Sequence, residues 1–327
     1  MSGGQATFAA LDGARVLVTG GAGFIGSHLV DGLVELGARV RVLDDLSSGK
    51  RENLGQHGHA VELLVGDIRD ASTCLRAIEG VSLVFHEAAL GSVPRSMNDP
   101  ATTLAVNVAG TANVFAAART AGVARVVYAS SSSVYGDSET LPKREGEEGK
   151  PLSPYALSKW MNEELAACYA RCFDMSFVGL RYFNVFGPRQ DPNGPYAAVV
   201  PRFFAACAAG AAPVIFGDGA QSRDFTYVGD VVRANLLAAT ATLPSAAGGG
   251  SIVANIGAGG STTVSELAET LCRVAGDGTL RPQHAPARPG DILHSTADAS
   301  RARQLFGFAA EVPLREGLAR IAASLGR

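Results

Sequence analysis

Along the first half of the chain a short apolar run, a turn of small residues and a stretch with apolar positions at helical spacing recur in order. Val16-Leu17-Val18 is the first run, and Phe24, Ile25, Leu29, Val30, Leu33 and Leu36 follow at the three-and-four spacing of a helix with one buried face. The pattern predicts further strands at Arg39 to Leu43, Val61 to Val65, Leu83 to Phe85, Arg125 to Ala129 and Ser176 to Arg181. Between them it predicts helices over about Ala71 to Glu79, about Ala101 to Ala121, and from Pro154 through Tyr155, Leu157, Trp160, Met161 and Leu165. The polar, Gly-rich stretch Leu46 to Gly58 reads as a loop. Strands that alternate with helices pair in parallel, so the expected class is α/β with a doubly wound parallel sheet.

Beyond Gly187 the rhythm degrades into a Pro/Gly loop, an apolar helix over about Ala197 to Ala208 and a short strand at Val214 to Phe216. A second, smaller α/β lobe is expected to begin there. Residues 1–182 with about 226–256 form the dinucleotide-type domain in this reading, and about 183–225 with 257–327 the smaller lobe. The helix from about Val228 to Ala241 and the strand Ile252 to Asn255 return to the main sheet, with a loop at Gly248-Gly249-Gly250.

Composition narrows the classes. Of 327 residues 47% are hydrophobic and only 18% charged, the balance of a compact globular protein. A net charge of −3 and the lack of a basic stripe argue against nucleic-acid binding. Five cysteines without a C-x-x-C pair indicate neither a disulfide framework nor a zinc site, and read as buried thiols in a reducing compartment. The N-terminus does not resemble a signal peptide. The most apolar region, Tyr196 to Gly217, is broken by Pro201, Arg202 and Pro213, so no membrane association is expected and the compartment is expected to be the cytoplasm. His28 reads as packing or solvent-facing and His86 as a hydrogen-bonded core histidine, leaving no candidate metal ligand.

The chemistry starts at Gly20-Gly21-Ala22-Gly23-Phe24-Ile25-Gly26, between the first strand and the first helix. With little side-chain bulk at Gly20, Gly23 and Gly26, a pyrophosphate can reach the backbone and meet the free N–H groups and positive end of the helix. The second strand runs into Asp44, about twenty residues downstream, where a carboxylate accepts hydrogen bonds from a ribose 2′-OH. Asp44 followed by Asp45 disfavours a 2′-phosphate and so favours NAD over NADP, with Lys50 and Arg51 near enough to keep NADP open.

Further along, a predicted strand ends in Ser130-Ser131-Ser132-Ser133, and Tyr155 and Lys159 lie four apart on one helix face. An ammonium beside a phenol favours the phenolate and lowers the tyrosine pKa from its usual value of about 10 toward that of a general base.

In this order GGAGFIG, GDI, HEAAL, the serine cluster, YALSK, RYFNVFG, GDGAQSRDFTYVGD and RPGD make nearly the whole chain resemble the extended short-chain dehydrogenase/reductases. Within that family GSVPRS, LSPYALSK, RYFNVFGPRQDPNGPYAAVVPRF and NLLAAT look most like UDP-N-acetylglucosamine 4-epimerases of bacterial surface-polysaccharide synthesis. The resemblance implies tightly bound NAD, with Tyr155 as base, Lys159 as ribose ligand and Ser131 as the hydroxyl on the sugar O4. It implies cofactor contacts at Gly20, Gly23, Phe24, Ile25, Gly26, Asp44, Asp45, Ser48, Gly49, Asp67, Ile68, Ala88 and Ala89, together with Tyr155 and Lys159. Asn107 maps beside them, near the active site. UDP-sugar contacts fall on Ser131, Ser132, Ser133, Asn184, Val200, Arg223, Arg288, Asp291 and Ser295. Gly91 departs from the galactose-type epimerases, which often carry Lys there.

The implied reaction is oxidation of the sugar at C4, turnover of the keto sugar and hydride return to the opposite face. Ser295 is small where a Tyr would crowd the C2 substituent, which points to UDP-GlcNAc/UDP-GalNAc with some action on UDP-glucose and UDP-galactose; a helix-entry serine is the plain alternative. UDP-glucuronate 4-epimerisation, with Arg95 facing a carboxylate, and a non-catalytic dinucleotide-sensing protein remain open. Dehydratases and decarboxylases of this scaffold use an acidic residue where Ser132 and Ser133 stand here. A homodimer through the helices at Ala101 to Ala121 and Tyr155 to Cys172 is also implied.

Overall fold

The computed structural model describes residues 8–193, 197–243, 250–276, 278–287 and 293–325. Strands β1 (Arg15–Thr19), β2 (Arg39–Asp44), β3 (Val61–Val65), β4 (Leu83–His86), β5 (Arg125–Ser131), β6 (Ser176–Tyr182) and β7 (Gly250–Ile256) form one sheet. Their spatial order is β7-β6-β5-β4-β1-β2-β3, and every neighbouring pair is parallel. The expected α/β doubly wound sheet is the observed class. The order reverses between β1 and β4, and it is beyond the carboxyl ends of strands at such a switch point that open sheets bind ligands.

The sheet is covered on both faces, which explains why its central strands are apolar throughout rather than alternating. Val16 and Val18 pack on one face with Leu29, Val30 and Leu33 of α1 (Phe24–Glu35). Leu17 packs on the other with Cys74 and Ala77 of α2 (Ala71–Ala77). The helix expected at about Ala101 to Ala121 is α4 (Pro100–Thr120), and one short helix that periodicity missed, α3 (Val93–Asn98), stands between it and β4. Caps mark both starts: Ser92 Oγ accepts from Arg95 N–H, Asp99 Oδ1 accepts from Thr102 N–H, and each helix has a proline in its first turn.

By length and composition α4 is the one described helix apolar enough to cross a membrane, and not the 196–217 region singled out in the sequence. It packs against the sheet, with Val114, Phe115, Ala117 and Ala118 buried, and residues Ala105–Gly110 form a π turn within it. Gly250 opens β7 rather than lying in a loop, and the expected loop after β2 holds 3₁₀ turns over Arg51–Ala60.

The long helix α5 (Pro154–Phe173) leads into β6, and after β6 the chain builds a second apolar cluster. The cluster joins α6 (Val199–Ala208), α8 (Val264–Val274) and α10 (Leu314–Ser324) through Phe203, Phe204, Leu267, Leu271 and Leu318. The helix between α6 and α8, α7 (Val228–Thr240), packs instead on the main sheet through Val231, Ala234 and Ala238, and α9 (Ser300–Phe306) joins it there. Small parallel or antiparallel ladders at 214–216 with 283–285, and at 222–223 with 262–263 and 294–295, edge the second cluster. All five cysteines are free, but Cys168 and Cys172 are exposed on the outer face of α5, against the expectation of buried thiols.

Candidate active site

A cavity of about 490 Å³ opens at the carboxyl ends of the strands. It runs from Gly20, Gly23, Phe24, Ile25 and Gly26 past Asp44, Asp45 and Ser48, with Asp67 and Ile68 beyond. At the other side it reaches Ala88, Ala89, Ser131, Ser132, Tyr155, Lys159 and Asn184.

The glycine turn is tight enough to require glycine. Gly20 sits at φ +68°, and a Cβ there would lie 2.7 Å from Ala88 N; one at Gly26 would lie 2.1 Å from the Gly20 carbonyl oxygen. Gly23 caps α1 without a side chain, so the first-turn N–H groups face the cavity uncovered by any capping side chain, as an anion site needs. Asp44 is held by Ala22 N–H donating to Oδ2 and Leu46 N–H donating to Oδ1, each at 2.9 Å. Burial raises its pKa, against those two hydrogen bonds. Gly49 does not line the cavity; a Cβ there would lie 2.7 Å from Asp44 Oδ1, so its contribution is to let the loop close on that carboxylate. Arg69 hydrogen-bonds Asp67 through Nε at 2.8 Å and Nη2 at 2.5 Å and holds its carboxyl below the usual range. Uncovered N–H groups at a glycine turn, with an ordered carboxylate at the end of the next strand, fit a dinucleotide of pyrophosphate and ribose.

Helix α5 starts at Ser153, whose Oγ accepts from Ala156 N–H at 3.1 Å, with Pro154 in the first position. That start puts Tyr155 in the first turn, Lys159 one turn later and Glu163 one turn after that. Lys159 Nζ donates to Ala129 O at 2.8 Å and lies 6.0 Å from the Tyr155 ring centroid. Burial lowers the lysine pKa to about 8, with Glu87 and Glu163 opposing the fall. The Tyr155 pKa is raised, chiefly by burial, with a hydrogen bond from Ser131 opposing and Glu87 adding to the rise. The lowering expected from the lysine is therefore not what these residues produce: the ammonium is turned to a backbone carbonyl, and enclosure of the phenol dominates.

Ser131 ends β5 and its Oγ accepts from Ser133 N–H at 3.1 Å and Ser133 Oγ–H at 3.0 Å. Ser133 thus sits behind Ser131, while Ser132 lines the cavity. Asn107, in the π turn of α4, is fully buried and does not line the cavity. Its Oδ1 accepts from Leu90 N–H at 2.8 Å and its Nδ2 donates to Ser158 Oγ at 3.1 Å, tying the loop after β4 to α5. His86 is the hydrogen-bonded core histidine expected, 2.7 Å from Thr19 Oγ1 and 2.9 Å from Thr111 Oγ1.

Of the remaining described sugar-nucleotide candidates, Asn184 lines this cavity, its Nδ2 donating to Asp224 O at 3.3 Å, whereas Val200, Arg223 and Ser295 do not. Val200 is buried in the second apolar cluster. Arg223 pairs in register with Ser295 on adjacent short strands, and its Nη1 donates to the Ser222 carbonyl at 2.9 Å. Ser295 is therefore a buried strand residue and not a helix-entry serine. Arg288 and Asp291 lie outside the described residues.

Two acids escaped the sequence reading. Glu163 Oε1 accepts from Ser130 Oγ–H at 2.5 Å and from Arg181 Nε–H at 2.9 Å, and Oε2 accepts from Arg181 Nη2–H at 2.7 Å. Arg181 also pairs with Glu148; burial alone would lower its pKa, but the two carboxylates hold it above the ordinary range. The spacing Tyr155, Lys159, Glu163 on one helix face was the available signal. Glu87, at the centre of HEAAL, lines the cavity and accepts from Tyr182 Oη–H at 2.8 Å.

A site of this kind on this sheet belongs to the dinucleotide-dependent enzymes. The model of the NAD dependent epimerase/dehydratase family matches residues 16–257, and the chain belongs to that family, whose cofactor is NAD. It is 42% identical over 310 residues to the UDP-glucose 4-epimerase of Mycolicibacterium smegmatis, covering 94% of this chain and 96% of the relative. Among solved structures it is similar to the UDP-glucose 4-epimerase of Thermotoga maritima with UDP-glucose, at TM-score 0.89 and 38% identity over 95% of this chain and 98% of that one. It is likewise similar to the UDP-N-acetylglucosamine 4-epimerase of Methanobrevibacter ruminantium in complex with UDP-N-acetylmuramic acid. There the TM-score is 0.90 and the identity 38%, over 96% of this chain and 98% of that one.

Proposed function

We propose that this enzyme inverts C4 of UDP-hexoses, taking UDP-GlcNAc and UDP-GalNAc and also UDP-glucose and UDP-galactose. The observation that carries the reading is the meeting of Ser131, Tyr155 and Lys159 at one end of the cavity whose other end is the glycine turn. When bound, NAD⁺ supplies a reversible hydride acceptor for the sugar carbon. Tyr155 takes the proton of the 4-OH and gives it back, Ser131 holds the O4, and Lys159 supports the cofactor ribose. Asp44 accepts from the adenosine ribose and the α1 N-terminus takes the pyrophosphate. The second apolar cluster serves as the UDP-binding lobe, with Asn184 and Arg223 as nucleotide ligands; the family resemblance assigns Arg288 and Asp291 to the same moiety.

Preference for the N-acetylated sugar rests on the resemblance, in which Ser295 is small where a tyrosine would crowd the C2 substituent. A homodimer is part of the reading: Val93 and Met97 of α3 and Leu157, Trp160 and Met161 of α5 are large, apolar and exposed on two helices that pack together. The reading also places the enzyme in the cytoplasm and in polysaccharide synthesis.

Proton NMR of the purified protein, without added NAD, tests it with UDP-GlcNAc, UDP-glucose and UDP-glucuronate in separate tubes. New GalNAc anomeric signals that grow to a fixed ratio support the proposal. Change of the glucuronate alone overturns the Ser295 argument, and no change even with NAD supplied overturns the reaction.

A further inference from the structure

Glu87 is the only ionisable residue between the end of β4 and the start of α3, and it stands in the wall of the catalytic cavity. Its backbone N–H donates to Thr19 O at 3.1 Å, which fixes the residue at the β1–β4 switch point. Tyr182 Oη, at the end of β6, donates to Oε1 at 2.8 Å and accepts from Asn235 Nδ2 of α7 at 2.8 Å. Because Asn235 Nδ2 also donates to Val231 O at 2.9 Å, the amide is oriented and the tyrosine hydrogen is directed at Glu87. From α5 the carboxyl is faced by the cation Lys159 and the phenol Tyr155, each coupled to it electrostatically. Glu163 acts on Lys159 from the far side, and His86 beside it is neutral in its threonine pair.

We propose that Glu87, held in the cavity wall by Tyr182, is a positioning residue for the Tyr155 base: its carboxyl shares the cavity with the phenol and sets how much negative charge the phenol meets there. When Glu87 is protonated that charge is absent and phenolate formation is easier. When Glu87 is ionised it keeps Lys159 charged and opposes phenolate directly. The enclosed place in the cavity wall favours the neutral carboxyl: burial pushes it up to about 7, with Tyr182 and Lys159 restraining the rise. The inference rests on Tyr155 being the base.

The first readout needs no substrate. Infrared difference spectra of the full chain between about pH 6 and about pH 8 should contain a protonated-carboxyl band that Glu87→Gln removes. The second is tyrosinate absorbance, with Tyr155 isolated by subtracting a matching Tyr155→Phe variant. Its midpoint should move about half a pH unit lower in Glu87→Gln, because a negative neighbour is gone. Tyr182→Phe keeps the charge but removes the donor, so the carboxyl band should persist to higher pH. In turnover, kcat should lose an inflection near neutrality in Glu87→Gln while KM stays within about twofold. A band unaffected by Glu87→Gln, or an unmoved Tyr155 midpoint, overturns the proposal. A moved midpoint in a protein that converts no UDP-sugar leaves Glu87 as assigned and refutes the proposed reaction instead.

Discussion

Glu163→Gln is the sharpest test of how the site is held. Arg181 and Glu163 are 4% and 6% exposed, so their pairing is a buried one, and removing one partner of such a pair costs about 3–5 kcal/mol. Two features reduce that figure here. Glu148 remains on Arg181, and the new amide oxygen can still accept one of the guanidinium N–H groups. A loss of about 2–3 kcal/mol follows. For a chain of this length that is a fall in melting temperature of about 5 °C, by calorimetry or circular dichroism. Ser130 loses a charged acceptor at 2.5 Å, and Ser130 precedes Ser131 on β5, so kcat should drop about tenfold with a smaller change in KM. The decisive control adds Arg181→Met and Glu148→Gln to Glu163→Leu, because Glu148 also pairs with Arg181. Removing all three charges together should restore most of the stability, because the cost lies in the unpaired charge rather than in the pairing. A single-variant loss below about 0.5 kcal/mol, or a triple variant less stable than the single one, refutes the reasoning.

Gly26→Ala should cost more than tenfold in NAD affinity by isothermal titration, because its Cβ would lie 2.1 Å from the Gly20 carbonyl oxygen and the turn must part; binding within about threefold of the parent contradicts this. His86 contributes a pH dependence of definite sign. Burial, helped by Lys159, holds its pKa down to about 3, so below the unfolded value of about 6.5 only the unfolded chain takes the proton. Stability from this group is complete above about pH 6.5 and is lost as pH falls from there toward about 3, at about 1.4 kcal/mol per pH unit. Glu87 acts in the opposite direction between about 4.5 and 7, so the parent curve is flattened there and the His86→Asn difference curve should show the loss on its own. Ser295→Tyr should remove turnover of N-acetylated sugars and spare UDP-glucose; equal loss on both defeats the pocket argument.

What the sequence made legible is what one element encodes by itself. The glycine turn, the acid at the end of β2 and the Tyr155–Lys159 pair are set by spacing within a strand-turn-helix or a single helix, and each reaches the cavity. Glu163 lies on that same helix face, yet its role needed β5 and β6 to be neighbours, since Ser130 and Arg181 face each other only through that pairing. Glu87 needed still more: β4 to end beside β1, β6 to carry Tyr182 and α7 to carry Asn235. The electrostatics of Tyr155 failed for the same reason, because helical spacing states that Lys159 is near but says nothing of the Ala129 carbonyl that claims its ammonium. Charge at this site is thus arranged between elements, in a line from Glu148 and Arg181 through Glu163 and Lys159 to Glu87. Two cations and three carboxylates leave that line negative overall when every carboxyl is ionised, which is the state least suited to forming a phenolate. Holding the proton on Glu87, which lines the cavity, returns the line to neutrality and so suits the role of base proposed for Tyr155.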